Sequence, residues 1–414
     1  MEKRRVVITG MGVVAPNGIG IENFWDSLVH GRSGIRRITH FDASSYPSQI
    51  AAEVPDFDPT DYMDPKTAKR LDRFVHFSLA SASLALEDAE IKIPYKDPYR
   101  IGVFVGTAIG GGEVSENQHL IFIEKGFKRI APYAVFGIST HSASAAISES
   151  FFLKGPNTTI SSGCNSGLDA CYLAYNAIRL RDADIMVVSA GEAPITPYIV
   201  SVFSACGVLS TENGDPKAAV KPYDIDASGM ALGEGGGTII IEELNHAMNR
   251  GAIIYGEILG YSSINEAYVF GTETNIEPMA HAFKVALDKA YLGPGDIEYI
   301  SSHGNGMLSY DIGETEAIKK VFGKLAYKIP VASIKPVTGQ SLSASGVYQI
   351  ITSLLAIRNR IIPPTINHRN PAPKCDLNYV PHHYIEKNIN IALMNAHGFG
   401  GRHTVLIVGK LDKG

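Results

Sequence analysis

Two stretches of this chain echo each other. Ser166-Gly167 opens a run that ends Ala177-Ile178-Arg179, and Ser345-Gly346 opens one that ends Ala356-Ile357-Arg358, with the same glycine-to-isoleucine spacing. Each follows a β-branched apolar run and a turn of small residues. One reading is coincidence between two helices rich in Ala, Leu and Ile. The other is duplication, giving two similar α/β halves. Under duplication, the small residues opening both helices let the halves pack closely at a shared centre. A pocket is then expected at the seam.

The rest of the chain fits an alternating pattern. Short β-branched runs predict strands at Val6–Thr9, Ile101–Val105, Thr158–Ile160, Ile185–Ser189, Thr238–Glu242, Ile297–Ser301, Pro330–Ser333, Ile389–Met394 and Thr404–Val408. Longer stretches predict helices at Pro65–Ala89, Ser142–Leu153, Gly167–Leu180, Pro278–Ala290, Asp311–Val321 and Ser345–Asn359. Strands alternating with helices argue for an α/β fold with parallel or mixed sheets. The runs Gly110-Gly111-Gly112 and Gly235-Gly236-Gly237 lack the spacing of dinucleotide or P-loop motifs, so close backbone packing is the better reading.

Composition excludes several classes. Net charge is −5, which gives no basic footprint for nucleic acid. The four cysteines, Cys164, Cys171, Cys206 and Cys375, have no close paired spacing, so neither a metal site nor a disulfide framework is expected. No run of about 18 apolar residues is present, and the apolar run after Met1 is too short for a signal peptide. A soluble cytoplasmic protein is expected.

Cys164 is the residue most suited to covalent chemistry. It lies in Ser162-Gly163-Cys164-Asn165-Ser166-Gly167, between a strand and the first of the repeated helices. Free N–H groups and partial positive charge at a helix N-terminus favour thiolate over thiol. An acyl-transfer nucleophile also needs a proton-handling or charge-stabilising partner. His303, at a strand end before Gly304, is the best placed of the histidines, although a strand-end histidine satisfied by backbone is an equal reading. His397 precedes the turn Gly398-Phe399-Gly400-Gly401 and lines a site if that turn does, whereas His382 and His383 read as surface. Lys335 follows another strand; if buried it must be paired, and Glu314 and Asp311 are candidate partners.

These residues match a family. The chain resembles the β-ketoacyl-acyl-carrier-protein synthases of the thiolase-like condensing-enzyme superfamily. It is similar to elongating type II fatty-acid enzymes and, more closely, to the ketosynthase subunit of bacterial type II polyketide synthases. The resemblance is carried by Arg5-Val6-Val7-Ile8-Thr9-Gly10-Met11-Gly12, Ser162-Gly163-Cys164-Asn165-Ser166-Gly167-Leu168-Asp169-Ala170 and Pro194-Ile195-Thr196-Pro197. It continues in His303-Gly304, Ser333-Ile334-Lys335, Cys375-Asp376-Leu377-Asn378-Tyr379-Val380-Pro381 and Gly398-Phe399-Gly400-Gly401. A degradative thiolase fits less well, because Cys375 falls outside the glycine-rich turn where a second catalytic thiol belongs.

The resemblance implies a five-layer αβαβα fold of two similar halves. Residues 1–250 would carry the nucleophilic cysteine, and residues 251–414 the His, Lys and Gln of the site. It implies Cys164 as acyl acceptor, with the backbone N–H groups of Cys164 and Phe399 as oxyanion hole and Phe399 as gate. His303 would assist malonyl decarboxylation, supported by Glu314 and Lys335. Asn305 and Thr338 would hold the phosphopantetheine arm of the carrier protein, and no cofactor of the enzyme's own is implied. Lys66, Lys69 and Arg70 would dock the acyl carrier protein; alone they read as an ordinary charged helix face. The partners implied are that carrier and a second ketosynthase-like chain, in a homodimer or in a heterodimer with a chain-length factor.

Two positions depart from the family pattern. Its second active-site histidine falls at Gln340, an amide that donates or accepts a hydrogen bond but carries no titrating proton. Its His-Gly-Thr-x-Thr segment reads His303-Gly304-Asn305-Gly306-Met307. Both changes bear on handling of the extender. Three readings follow: a condensing enzyme with a Cys-His-Gln site, a non-elongating acyltransferase or loading enzyme, and a chain-length-factor-like partner. The retained cysteine argues against the last.

Overall fold

The computed structural model describes residues 4–267 and 275–412. The first half contributes strands β1 (Val6–Ala15), β2 (Ile101–Gly106), β3 (Asn157–Ile160), β4 (Ile185–Glu192) and β5 (Gly235–Glu243). The second contributes β6 (Gly256–Asn265), β7 (Tyr299–Ser301), β8 (Val331–Ala332), β9 (Ile391–Gly398) and β10 (Arg402–Gly409). They form one mixed sheet in the order β8-β7-β9-β10-β6-β1-β5-β4-β2-β3. Each half therefore runs third, second, fourth, fifth, first from its outer edge inwards.

Strand directions repeat as well. In both halves the second strand is parallel to the third and fourth, and the fifth is antiparallel to the fourth and first. The halves meet where β1 pairs β6, at Val7↔Glu257 and Ile8↔Gly256. Shared order and shared direction decide for duplication over coincidence.

Side-chain alternation separates the layers, because successive residues of a strand face opposite sides. Met186 and Val188 of β4, Ile239 and Ile241 of β5, and Leu406 and Val408 of β10 join the central apolar cluster. Ile185, Val187 and Ile240 face the opposite way, under α1 (Arg73–Asp88) and α2 (Ser142–Phe151). The central cluster contains the repeated helices α3 (Ser166–Arg179) and, from the second half, the longer one at Leu342–Asn359. Leu393, Val405 and Ile407 face α4 (Ile276–Ala290) and α5 (Leu308–Phe322). Leu342–Asn359, hereafter α6, is buried from Leu342 through Ile357, as a helix in a middle layer must be. This is the five-layer αβαβα thiolase-like arrangement.

The small residues act as expected. A methyl group at Gly167 would collide with the Ser343 carbonyl of α6, and one at Gly346 would lie 3.0 Å from Leu168 Cγ. The other glycine runs also serve close packing: a Cβ at Gly236 would sit 2.5 Å from the Phe77 carbonyl, and one at Gly111 would strike that of Gly137.

Three differences from the sequence reading stand out. Strand β6, the first of the second half, is missed; Gly256, Gly260, Ser262 and Ser263 dilute its β-branched signal. The helix expected at Pro65–Ala89 breaks in two, because the Asp72 carboxylate accepts from Phe74 N (3.2 Å) and caps a new start at Arg73. Helix Gly112–Lys125 has no buried residue, so the periodic apolar face that would reveal it is absent. Among the described residues, no helix is long and apolar enough to cross a membrane.

Candidate active site

Cys164 sits in the turn between β3 and α3, where Gly163 takes φ +69°, a left-handed value that favours glycine. Ser166 Oγ accepts from Ser162 N (2.8 Å) and donates to the Gly163 carbonyl (2.7 Å), closing the turn. The second half then grips it. Asn165 Nδ2 donates to the Ala396 carbonyl (3.0 Å) and to Thr404 Oγ1 (2.9 Å). A Cβ at Gly398 would strike Asn165 Oδ1 and lie 3.7 Å from Cys164 N, so the Gly398-Phe399 backbone lies against the cysteine peptide. The Phe399 ring is 43% exposed, with Phe203 and Tyr310 at centroid distances of 6.3 and 6.5 Å.

The resting thiol is not the thiolate its helix position suggested. Burial pushes Cys164 up to about 11, while a hydrogen bond from Gln340 and the charge of Lys335 pull it down and Glu192 pushes it up. Helix-terminus charge is worth about 0.3–1 kcal/mol when exposed. Here it is outweighed by desolvation where the cysteine packs against the apolar cluster that includes Ile195, Ile199, Tyr310 and Leu342.

Gln340 is buried beside the sulfur. Its Oε1 accepts from Ser345 Oγ (3.5 Å), a residue of the repeated small segment opening α6. That contact orients the amide so that its nitrogen donates toward Cys164.

His303 is fixed from three sides. Its Nδ1 accepts the His397 backbone N–H (3.2 Å), so the ring proton is on Nε2. Its own N–H donates to Glu314 Oε1 (2.7 Å), and Gly304 N donates to Glu314 Oε2 (3.0 Å). Its carbonyl accepts from Lys335 Nζ. Burial and then the charge of Lys335 hold the imidazole well below its ordinary range, so it is a neutral Nε2–H donor. The even choice left by the sequence is thereby refined: His303 is held by backbone on one nitrogen and free to donate from the other.

Lys335 and Glu314 serve His303 together, but not as the ion pair the sequence suggested. Lys335, 1% exposed, places its ammonium on the His303 carbonyl rather than on Glu314 or Asp311. Burial lowers it to about 8, against the opposing charge of Glu314. Burial would push Glu314 up, yet His397 at 3.6 Å, by contact and by its charge when protonated, and hydrogen bonds from Asn395 and Tyr223 hold it at about 2. Tyr223 OH donates to it at 2.7 Å. Asp311 is pushed up to about 8 by burial, against the Tyr223 N–H, and with Glu314 adding to the rise; it is a buried neutral acid at pH 7.

The residues expected to hold the phosphopantetheine arm are both buried and make contacts within their own loops. Asn305 Oδ1 accepts from Met307 N (3.0 Å) and its amide nitrogen meets the Met230 sulfur at 3.9 Å. Thr338 is fully buried, and its one hydroxyl proton has the Gly339 carbonyl at 2.9 Å and the Ile334 carbonyl at 3.3 Å as alternative acceptors. Lys66, Lys69 and Arg70 are exposed around the short helix Pro65–Ala68. Arg70 and Thr67 border a groove of about 670 Å³ that continues to Pro132, Tyr133 and Phe136. His382 and His383 are exposed, as expected.

Tyr223, Asn395 and His403 belong to the site without having been read from the sequence. Neither Tyr223 nor Asn395 has a local signature. His403 has one in retrospect: it lies opposite His397 in the β9–β10 register.

Comparison with known proteins agrees with this geometry. Residues 3–247 match the β-ketoacyl synthase N-terminal domain and residues 255–369 the C-terminal domain. A putative polyketide β-ketoacyl synthase 1 of Streptomyces halstedii is 39% identical over 413 residues, covering 98% of both chains. A 3-oxoacyl-[acyl-carrier-protein] synthase 2 of Coxiella burnetii is 40% identical over 415 residues, covering 99% of this chain and all of its own. Among solved structures, a type II polyketide ketosynthase in complex with its acyl-carrier protein and bound to a hexaketide superposes with TM-score 0.90 at 34% identity, covering 99% of this chain and 100% of its own. The ishigamide ketosynthase/chain length factor gives 0.93 at 30%, with the same coverage. The nucleophile turn, the histidine behind it and the two-half fold thus coincide with a whole-length family match, and the chain belongs to the β-ketoacyl synthase family.

Proposed function

We propose that this chain is a β-ketoacyl-acyl-carrier-protein synthase of a type II polyketide or fatty-acid system, joining an acyl chain on Cys164 to a malonyl unit by decarboxylative condensation. The observation carrying the reading is the convergence at one seam of a half-buried thiol, an amide donor on it, a neutral Nε2–H donor and a glycine-rich turn against the thiol's peptide.

In the first half-reaction the Cys164 sulfur attacks the acyl thioester. Its proton leaves with the carrier's pantetheine sulfur, and the developing oxyanion lies at the Cys164 and Phe399 N–H groups. In the second, the extender's thioester carbonyl is held by Gln340 and His303. The carboxylate leaves as carbon dioxide, and the electron pair passes to an enolate stabilised by those donors. The enolate carbon attacks the acyl carbonyl, the carbon–sulfur bond breaks, and the pair returns to Cys164. Neutral donors suffice, because the enolate needs charge stabilisation rather than a base.

The wider setting is part of the same proposal. The acyl carrier protein, with its phosphopantetheine arm, would approach over Lys66, Lys69 and Arg70; the enzyme needs no cofactor of its own. A second ketosynthase-like chain, either a copy of this one or a chain-length factor, is supported by the open edge of β3, where Asn157 and Thr158 are exposed. Exposed Phe122, Ile123, Phe127, Val135 and Phe136 support it further. Four free cysteines fit a reducing cytoplasm.

Incubation with acyl-carrier and malonyl-carrier tests the reading by intact mass and carbon dioxide release. A β-ketoacyl product supports it. An acyl adduct on Cys164 without decarboxylation supports the loading-enzyme alternative, and absence of any adduct removes both.

A further inference from the structure

Beside His303 lies a pair of imidazoles that the condensation scheme leaves unused. His397 and His403 face each other across β9 and β10, both buried, with Nδ1 atoms 3.0 Å apart. Their ring centroids are 5.0 Å apart at 71°, and the His397 ring lies 5.3 Å from that of His303. Two ring nitrogens at that separation hold one proton between them, since facing lone pairs or facing N–H groups repel. The outer nitrogens both approach carboxylates. His397 Nε2 is 3.0 Å from the Asn395 amide nitrogen and 3.6 Å from Glu314 Oε1. His403 Nε2 is 3.3 Å from Glu266 Oε2. Two imidazoles thus stand in a row between two carboxylates; burial and the neighbouring imidazole hold His403 down at about 3, so an added proton needs a new negative charge nearby.

The reaction needs such a place. Each turnover consumes a proton, because a carboxylate leaves as neutral carbon dioxide and the acyl donor's sulfur leaves as a thiol. Until then the site holds a net anion: malonyl carboxylate, enolate, oxyanion, then thiolate. His303 is not available to offset it, with Nδ1 occupied by a backbone N–H and the Lys335 ammonium on its carbonyl. Gln340 does not titrate. The other groups around the pair are already engaged. Glu314 accepts backbone N–H groups, Asp311 accepts Tyr223 N at 2.9 Å, and Arg402 is paired to Asp169 at 3.1 Å.

We propose that His397 and His403 act as one proton-sharing pair, which takes a solvent proton by way of Glu266 when the anionic malonyl group enters and so balances the charge that Gln340 cannot. Both are positioning residues: they act through Glu314 and His303 and do not touch the reacting atoms. The inference rests on the condensing-enzyme reading.

Proton uptake on binding tests it apart from catalysis. Acylated enzyme is titrated calorimetrically with carrier protein bearing a sulfoacetyl group, an anion that cannot lose carbon dioxide, and with acetyl-carrier as uncharged control. Each titration is run in two buffers of different ionisation heat. Wild type is expected to take up more protons with the sulfoacetyl carrier than with the control. His403→Asn and Glu266→Gln are expected to bind the same carrier with at least half of that excess lost. Glu266→Gln keeps an acceptor for His403 Nε2, and so reports on proton transfer even if His403→Asn folds poorly. Unchanged uptake in Glu266→Gln would place the proton elsewhere, Lys335 foremost, and overturn the proposal. So would binding to wild type without excess uptake, or loss of binding in both variants. Failure of wild type to bind the anionic carrier at all would instead strike the condensing-enzyme reading itself.

Discussion

Replacing Glu314 with glutamine removes the charge that organises the loop carrying His303. In the structure that carboxylate accepts from His303 N, Gly304 N, Tyr223 OH and Asn395. A glutamine of the same shape turns one acceptor into a donor pointed at donors. The size follows from proton linkage. Glu314 lies at about 2, against an ordinary value of 4.5. At about 1.4 kcal/mol per pH unit, its ionisation stabilises the folded state by roughly 3 kcal/mol at neutral pH. Because the folded value is depressed, that stabilisation is complete above 4.5 and disappears as pH falls toward 2; roughly 2 kcal/mol of it is gone by pH 3. Urea unfolding of wild type and Glu314→Gln, at one protein concentration, should show a gap of roughly 3 kcal/mol at pH 7 that shrinks toward pH 3. A gap of the same size at both pH values, or one below about 1 kcal/mol at pH 7, would refute the assignment of Glu314 as the buried anion of the network.

Other outcomes are as specific. Gln340→His is expected to keep or raise malonyl decarboxylation, measured as carbon dioxide release; a fall by roughly the hundredfold that a positioned proton-transfer group contributes would show that the amide has a task an imidazole cannot perform. Alkylation of Cys164 by iodoacetamide, followed by intact mass from pH 6 to 10, should rise steadily without a plateau, since the thiol sits at about 11; a plateau near pH 7 would contradict burial as the dominant influence. Gly167→Ala should destabilise the fold by about 1–3 kcal/mol, because the methyl meets the Ser343 carbonyl; an unchanged unfolding midpoint would mean that α3 and α6 can separate freely.

What could be read in the sequence was what lies along it. Cys164 announced itself by a glycine before it and a helix after it, and the repeat of Gly167 at Gly346 foretold how the halves meet. Strands such as Ile185–Glu192, apolar because both faces are covered, were legible; β6, punctuated by glycine and serine, was not. The thiol's protonation was hidden because it packs against a cluster drawn from Ile199, Tyr310 and Leu342, far apart in the chain. The pairing of Lys335 was misjudged for a similar reason: a backbone carbonyl, which every residue carries, took the place of Glu314. Asn305 and Thr338 look like open polar contacts as letters; in the fold each also holds a hydrogen bond within its own loop.

The central claim is that Cys164 carries the growing chain and that this Cys-His-Gln site decarboxylates the extender. A single turnover of Cys164-acylated enzyme with malonyl-carrier labelled in its free carboxylate tests it most directly. The account predicts labelled carbon dioxide and β-ketoacyl-carrier in equal amounts, with the acyl group lost from Cys164 and neither product formed by Cys164→Ala. An acyl group that stays on Cys164 while the label stays on the carrier would contradict it.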